Sequence, residues 1–239
     1  MAKIENSSPK NTSGGYERLV GNAKLAGIFT KAQSTVITNG TELEKIISSR
    51  ANCIKDLDEF IQLFEDSKIA DGGYLCTKKV LKKSSYYMQN HEPDFLVFTV
   101  NGKKDFCSVV EMKDGDSFDT KKAPAEKEML KLFVNHIAPK IPFRTKLYIC
   151  CFNQDNKEKI VEGFKKNFTV DEVMSGREFC ELLNIDYDSI VSMRKKDAVE
   201  NFAYVVKQMA DIPEICTEIN QRQKSVVIED EFYGEDDDT

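Results

Sequence analysis

Two acids and a lysine stand where two short apolar runs can bring them together. Pro93-Asp94 precedes Phe95-Leu-Val-Phe-Thr-Val100, and Glu111-Met112-Lys113 follows Phe106-Cys-Ser-Val-Val110. Between the runs lies Asn101-Gly-Lys-Lys104, a turn signal, so the segment reads as a β-hairpin. The acid-x-lysine spacing by itself decides nothing, because Asp66/Lys68, Asp119/Lys121 and Asp155/Lys157 share it. Strand geometry does more. Side chains alternate along a strand, so Glu111 and Lys113 share one face and Val110 and Met112 the other. With a four-residue loop at 101–104, Val100 opposes Asp105 and Asp94 stands directly opposite Glu111. With a two-residue Asn-Gly turn, Asp94 faces Val109, one diagonal step away. Either register puts Asp94, Glu111 and Lys113 on one face, and only an odd loop length or a bulge breaks that parity.

Directly opposed Cβ atoms lie about 5 Å apart, close enough for two carboxylates to share one cation. Hard oxygen ligands with no His or Cys beside them favour magnesium over zinc. Mg²⁺ held by one or two carboxylates keeps several waters and pairs with phosphate oxygens. A lysine beside it can orient or deprotonate a water and stabilise transition-state charge. The competing reading is a surface salt-bridge network. The strand context and the shared face weigh toward the metal.

The elements that must position these groups follow from periodicity. Thr41 reads as an N-cap with Glu44 at the capping-box position, opening a helix striped by Leu43, Ile46 and Ile47. A second helix spans Asp56 to Phe64, and Gly72-Gly73 breaks the chain. Tyr74 to Tyr87 reads as a strand plus turn or as a short helix. A loop from Asp114 to Thr120 leads to a helix from about Pro124 to Asn135, with Glu126 and Glu128 in its first turn. Lys146 to Phe152 is a buried strand, and helices are expected over Lys157–Asn167, Ser175–Leu183 and about Lys196–Met209. That order makes an α/β fold, a small mixed sheet with helices on both faces and a helical C-terminal part. No internal repeat is visible.

Composition bounds the rest. The chain has 239 residues with 41% hydrophobic, enough apolar mass for a core. No apolar stretch approaches the ~20 residues of a spanning helix, and the polar N-terminus is no signal peptide. The seven cysteines have no metal-binding spacing and sit mostly in apolar runs, so they read as buried thiols of a reducing cytoplasm. The net charge of −6 is concentrated: the last eleven residues hold seven of the 40 acids, leaving 33 against 34 bases. The body is therefore nearly neutral and compatible with a polyanion, while the acidic tail reads as solvated.

Asp94 after Pro93, followed by Glu111-Met112-Lys113, resembles the active site of the PD-(D/E)XK nucleases, and within them the type II restriction endonucleases. The resemblance covers residues 40–155, and implies a restriction-endonuclease-like sheet core. It implies that Asp94 and Glu111 bind Mg²⁺ with the backbone carbonyl of Met112, that Lys113 positions the water, and that a preceding helix adds one more glutamate. Glu44 fits that place best, with Glu42 as competitor and the capping role of Glu44 as the plain alternative. The stretch from Asp114 to Glu126 also resembles the link from catalytic strand to next helix in such enzymes. Domains are then expected as an N-terminal arm (1–38, partly disordered), the catalytic core (39–155), a helical part packed on it for DNA contacts or dimerisation (156–224), and the acidic tail (225–239).

The implied activity is Mg²⁺-dependent, site-specific hydrolysis of double-stranded DNA by a bacterial cytoplasmic enzyme. A homodimer is expected, since two-fold symmetric sites are matched by two-fold symmetric proteins, and a cognate DNA methyltransferase belongs to the same system. Lys121-Lys122, Lys103-Lys104 and the Lys78–Lys83 cluster are expected around the site on the DNA path, with Arg194 at the start of the long helix reaching phosphates or base edges. Tyr86-Tyr87 reads as packing rather than a base wedge. Other nuclease classes fail on motif: His91 and His136 lack HNH spacing, GIY-YIG is absent, and there is neither a P-loop nor a nucleophile elbow. The remaining alternatives are a repair or transposition nuclease of the same fold, and a non-catalytic nucleic-acid-binding protein with an unused site.

Overall fold

The computed structural model describes residues 1–9, 14–102, 104–115 and 122–233, the last ten by backbone alone. Contacts divide the chain into two units, Gly40–Ser192 and Met1–Asn39 with Met193 onward.

The first of these is built on a five-stranded sheet. Strands β1 (Gly72–Thr77), β2 (Phe95–Val100), β3 (Phe106–Lys113), β4 (Arg144–Cys151) and β5 (Val173–Ser175) lie side by side in that order. β1 and β3 both run antiparallel to β2 between them, while β4 and β5 continue parallel to β3. The parallel steps need crossovers, and helices α5 (Lys122–Ile137) and α6 (Lys157–Gly163) supply them. The expected mixed sheet with helices on both faces is what the chain forms.

Alternation along β2 and β3 sorts the core into two layers. Leu96, Phe98, Val100, Cys107 and Val109 join Leu57, Phe60 and Ile61 of α3 (Leu57–Glu65) and Leu130 and Phe133 of α5. Phe95, Val97, Val110 and Met112 turn the other way. They join Leu43 and Ile47 of α2 (Ala23–Arg50) and Phe179 and Cys180 of α7 (Gly176–Leu182). Each fully buried Leu or Phe contributes roughly 1.5–3 kcal/mol of apolar transfer, so a register slip that exchanged these layers would be prohibitive. All seven cysteines are free thiols, five of them buried.

Several local expectations need correction. Thr41 caps nothing, because α2 runs unbroken from Ala23 to Arg50 and passes through Gly40-Thr41. The hydroxyls of Thr30, Thr35 and Thr38 bond back to carbonyls four residues earlier, so in α2 Ser/Thr chemistry that normally starts a helix is absorbed inside one. Gly72 and Gly73 do not break the chain; they open β1. A Cβ on Gly73 would lie 1.9 Å from the Leu182 carbonyl oxygen, so only glycine lets the end of α7 come this close. β1 is followed by one short helical turn, α4 (Lys78–Leu81), so both readings of that stretch hold in succession. Helix α6 ends at Gly163, ahead of Lys165 and Lys166, which take positive φ of 54° and 58°. The stretch beyond 155 is not purely helical, since β5 extends the sheet, and contacts divide after Ser192 rather than at 155.

The second unit holds α1 (Gly14–Val20), the first part of α2, most of α8 (Tyr187–Ala210), and α9 (Pro213–Tyr233). Its first residues are tied down rather than loose. The Met1 amino group pairs with Asp197 at 2.5 Å, Lys3 pairs with Glu200 at 2.6 Å, and the Ile4 N–H donates to Asn201 at 2.8 Å. Residues 225–233 of the expected tail lie in α9, and residues 234–239 fall outside the described residues. Among the described residues no helix is long and apolar enough to cross a membrane.

Candidate active site

The β2–β3 ladder pairs Phe95 with Val110 and Thr99 with Phe106, the register of a four-residue loop. Continued by one position, it sets Asp94 opposite Glu111. Asp94 Oδ2 accepts a hydrogen bond from the Met112 N–H at 3.0 Å, which fixes the carboxylate against the neighbouring strand. Glu111 and Lys113 alternate with Val110 and Met112, so they continue the face of Cys107 and Val109, as Asp94 continues that of Leu96 and Phe98. The sheet face is thus apolar along its length and ionisable at one end.

There Lys113 Nζ lies 2.7 Å from Glu111 and 2.6 Å from Glu126, a bridge between two carboxylates. Glu126 comes from α5, and sequence reading missed it. The helix begins at Lys122, not near Pro124, so Glu126 belongs to its second turn and faces back to the sheet rather than completing the helix dipole. The available signal was an acid on the helix that follows the Glu-Met-Lys strand. Lys78, at the start of α4 and part of the lysine cluster expected around the site, is also close. Its N–H donates to the Asp94 carbonyl at 3.1 Å, and its charge acts on Asp94, Glu44 and Glu126.

The electrostatics of this cluster are uneven. Burial pushes the Glu111 carboxyl up to about 9, with the Asp94 charge adding to it, against the pull of Lys113. Burial also raises Asp94, although the Met112 N–H and Lys113 oppose it. Glu44 is raised by burial and then by Asp94. Burial works against ionising Glu126 too, but hydrogen bonds from Glu111 and Lys113 outweigh it and hold that carboxyl below its usual range. Burial lowers Lys113, yet Glu111 and Glu126 more than compensate and hold it above the ordinary lysine value. The surroundings thus favour charge on Glu126 and Lys113 and disfavour it on Glu111. Asp94, Glu111 and Glu44 together carry more potential negative charge than Lys78 and Lys113 neutralise.

That imbalance tests the fit of a divalent cation. The donors are hard oxygens, and every acid with a raised pKa is one whose ionised form needs more positive charge nearby. Among the described residues no three Asp, Glu, His or Cys side chains form a ready metal cage, so a bound ion would keep waters, as Mg²⁺ does. The residues fit the ion. One consequence is a pH-dependent metal effect on stability. Raised carboxyl pKa values mean that the folded chain holds protons the unfolded chain releases, so stability falls as pH rises from about 4.5 toward 9, by at most about 1.4 kcal/mol per pH unit for one such group. Mg²⁺ competes with those protons. It should raise the melting temperature over an EDTA control more at pH 8.5 than at pH 6, and an increment equal at both pH values would detach the ion from these carboxylates.

The remaining expected residues are distributed differently. Glu44 is half-buried on α2 and feels Asp94 and Lys113, whereas Glu42 pairs with Lys45 at 3.0 Å. With Thr41 inside the helix, a capping role for Glu44 disappears. Lys122 is exposed at the first position of α5, one turn before Glu126. Lys121 and Lys103 lie outside the described residues. Lys104 is exposed but sits at the hairpin turn, the opposite end of β2 and β3 from Asp94 and Glu111. Five or six residues at ~3.3 Å each put it about 20 Å away, so it does not border the site. Arg194 is inside α8, which starts at Tyr187, and is only 4% exposed, so it offers no open surface to a phosphate. Tyr86 packs on the core and Tyr87 donates to Glu92 at 2.9 Å, the packing role expected of that pair.

A cavity of about 570 Å³ lined by Gly73, Thr99, Tyr148, Lys157 and Glu178 lies on the opposite sheet face and contains none of Glu44, Asp94, Glu111 and Glu126. The ionisable cluster is instead at the rim of the sheet, a placement suited to a long polymer and not to an enclosed small molecule.

The chain is 43% identical over 226 residues to the type II restriction enzyme HhaII of Haemophilus parahaemolyticus, covering 92% of this chain and 99% of that enzyme. No family profile and no solved structure matches it.

Proposed function

The chain belongs to the type II restriction enzymes, and from that premise we propose that Asp94, Glu111 and Lys113 form a PD-(D/E)XK site that hydrolyses a phosphodiester of double-stranded DNA. The observation that carries the reading is the β2–β3 register, which opposes Asp94 to Glu111 and leaves Lys113 on the same face between Glu111 and Glu126. Residues 39–155, extended by β5 and α7, are read as the catalytic core.

Asp94, Glu111 and the Met112 carbonyl would hold Mg²⁺, and Glu44, whose carboxyl feels the Asp94 charge, would be a further ligand. When bound, the ion supplies positive charge to phosphate oxygens and acidifies water. The chain's own groups do the rest. Lys113 holds the attacking water by hydrogen bond and offsets charge growing on the phosphate oxygens. Glu126 keeps the lysine ammonium aimed, so that Glu111 would be free to hold the ion. Lys78 and Lys122 neutralise phosphates flanking the scissile one, so the affinity for DNA falls as salt rises. The enzyme works as a homodimer on a two-fold symmetric sequence, within a system whose methyltransferase protects the host DNA.

A plasmid digest under different metals tests this. Mg²⁺ and Mn²⁺ are expected to give discrete bands. Ca²⁺, larger and more loosely coordinated, is expected to permit a specific gel shift without turnover, and Zn²⁺ to give no advantage. A smear would point to unspecific cutting, and an intact plasmid with a gel shift to a binder. Full cleavage in EDTA would remove the metal mechanism, because no other group here is a nucleophile activated to cut DNA.

A further inference from the structure

The large apolar side chains that face solvent are concentrated in the unit formed by residues 1–39 and 193 onward. Val199 is 69% exposed, Phe202 70% and Val206 48%, and Ala203 between them is also exposed. Spacings of three and four residues put these four on one stripe of α8, the pattern of a helix face meant for another helix. In the same unit Val36 and Ile37 of α2 are 69% and 76% exposed. The opposite side of α8 is already used: Asp197 holds the Met1 amino group, Asn201 holds the Ile4 N–H, and Tyr204 accepts from Lys31 at 3.1 Å.

Charges along one edge of the stripe say what covers it. Lys196, Glu200 and Lys207 of α8, and Asp211 just past its last residue, follow at intervals of four, seven and four residues, which bring them to one side. Their order is plus, minus, plus, minus. Read from the other end it is minus, plus, minus, plus. An antiparallel copy of α8 therefore sets Lys196 against Asp211 and Glu200 against Lys207, each pair occurring twice, as a two-fold interface requires. A parallel pair would set this edge against the other edge of the partner helix and leave the alternation unmatched. Glu200 keeps 45% of its side chain exposed while paired with Lys3, so it remains reachable.

We propose that this stripe of α8 is the surface on which a second copy of the chain docks, α8 against α8 in antiparallel orientation about an axis near residues 203–204. The inference rests on the homodimer reading above and adds the face that makes it. The apolar stripe supplies affinity, and the charged edge supplies orientation.

Sedimentation of the full-length protein tests both levels. Wild type is expected to be a dimer, and Phe202→Asp to raise its dissociation constant at least about a hundredfold with the circular dichroism spectrum kept, since the side chain is exposed. A monomeric wild type would overturn the homodimer reading itself. A dimer that survives both Phe202→Asp and Val206→Asp would overturn this surface and leave that reading standing. The charged edge has its own test. Glu200→Lys and Lys207→Glu should each weaken self-association at least about tenfold by opposing like charges. An equimolar mixture of the two variants should dimerise again, because one variant is then basic at both of these positions and the other acidic at both, so that every facing pair is of opposite sign. That rescue is specific to an antiparallel second copy, and its absence would overturn the proposed orientation.

Discussion

Replacing Asp94 or Glu111 by alanine is expected to reduce cleavage by at least about a thousandfold while DNA binding persists or tightens. Each substitution removes a carboxylate that would hold the metal, so the chemical step loses its charge stabilisation. It also removes negative charge from a place where phosphate must approach, so binding loses nothing and repulsion falls. Folding should survive both changes. Asp94 anchors to a single backbone N–H, and Glu111 is a buried acid whose ionised form is already disfavoured, so its loss relieves as much as it costs. Single-turnover digestion of a cognate plasmid and a gel shift in Ca²⁺ give the two readouts. Wild-type cleavage by either variant would remove that residue from the site.

This site was legible because the hairpin is local. The loop at 101–104 and the apolar runs beside it fix the register, and the register fixes which side chains oppose, with no long-range information needed. The same reasoning could have excluded Lys104 from the site, since it lies at the loop end of the hairpin whose open end carries the acids. Glu126 was illegible for a different reason. Its position depends on where α5 starts and how α5 lies on the sheet through Leu130 and Phe133, which is long-range packing. Local signals also misled. Thr41 and Glu44 have the form of a capping box, but α2 buries Leu43 and Ile47 as a continuation of a longer helix, and packing overrides the cap. The converse happened at α8. The Asp186 carboxylate accepts from the Ser189 N–H at 3.0 Å, a start signal present in the sequence ten residues ahead of the expected start. Misplacing that start put Arg194 at a helix end, where it would be exposed, instead of in the interior where it is buried.

Replacing Lys113 by methionine is expected to lower the cleavage rate by about a hundredfold to ten-thousandfold, the range for a group that acts on the attacking water. Methionine keeps the length of the side chain, so the loss reports the ammonium and not the packing. Stability should already fall somewhat at pH 6, where Glu111 is protonated but the half-buried Glu126 loses the ammonium that favours its ionised form. Without metal the melting temperature should fall further as pH rises past about 9, since ionising Glu111 then puts two carboxylates in one half-buried corner with nothing between them. Mg²⁺ should restore part of it. Glu126→Gln should cost less, about tenfold to a hundredfold, because glutamine still accepts a hydrogen bond from Lys113 while losing the charge that holds it. The order of the two effects matters more than either value. If Lys113 acts on water and Glu126 acts through Lys113, then Glu126→Gln added to Lys113→Met should cost almost nothing further, since the lysine it positions is gone. Losses that multiply in the double variant would mean that Glu126 reaches the metal or the DNA by itself. A melting temperature that collapses in Lys113→Met at every pH, with cleavage falling only in proportion to the folded fraction, would mean that Lys113 is a structural bridge between two carboxylates and that the water is held by another group.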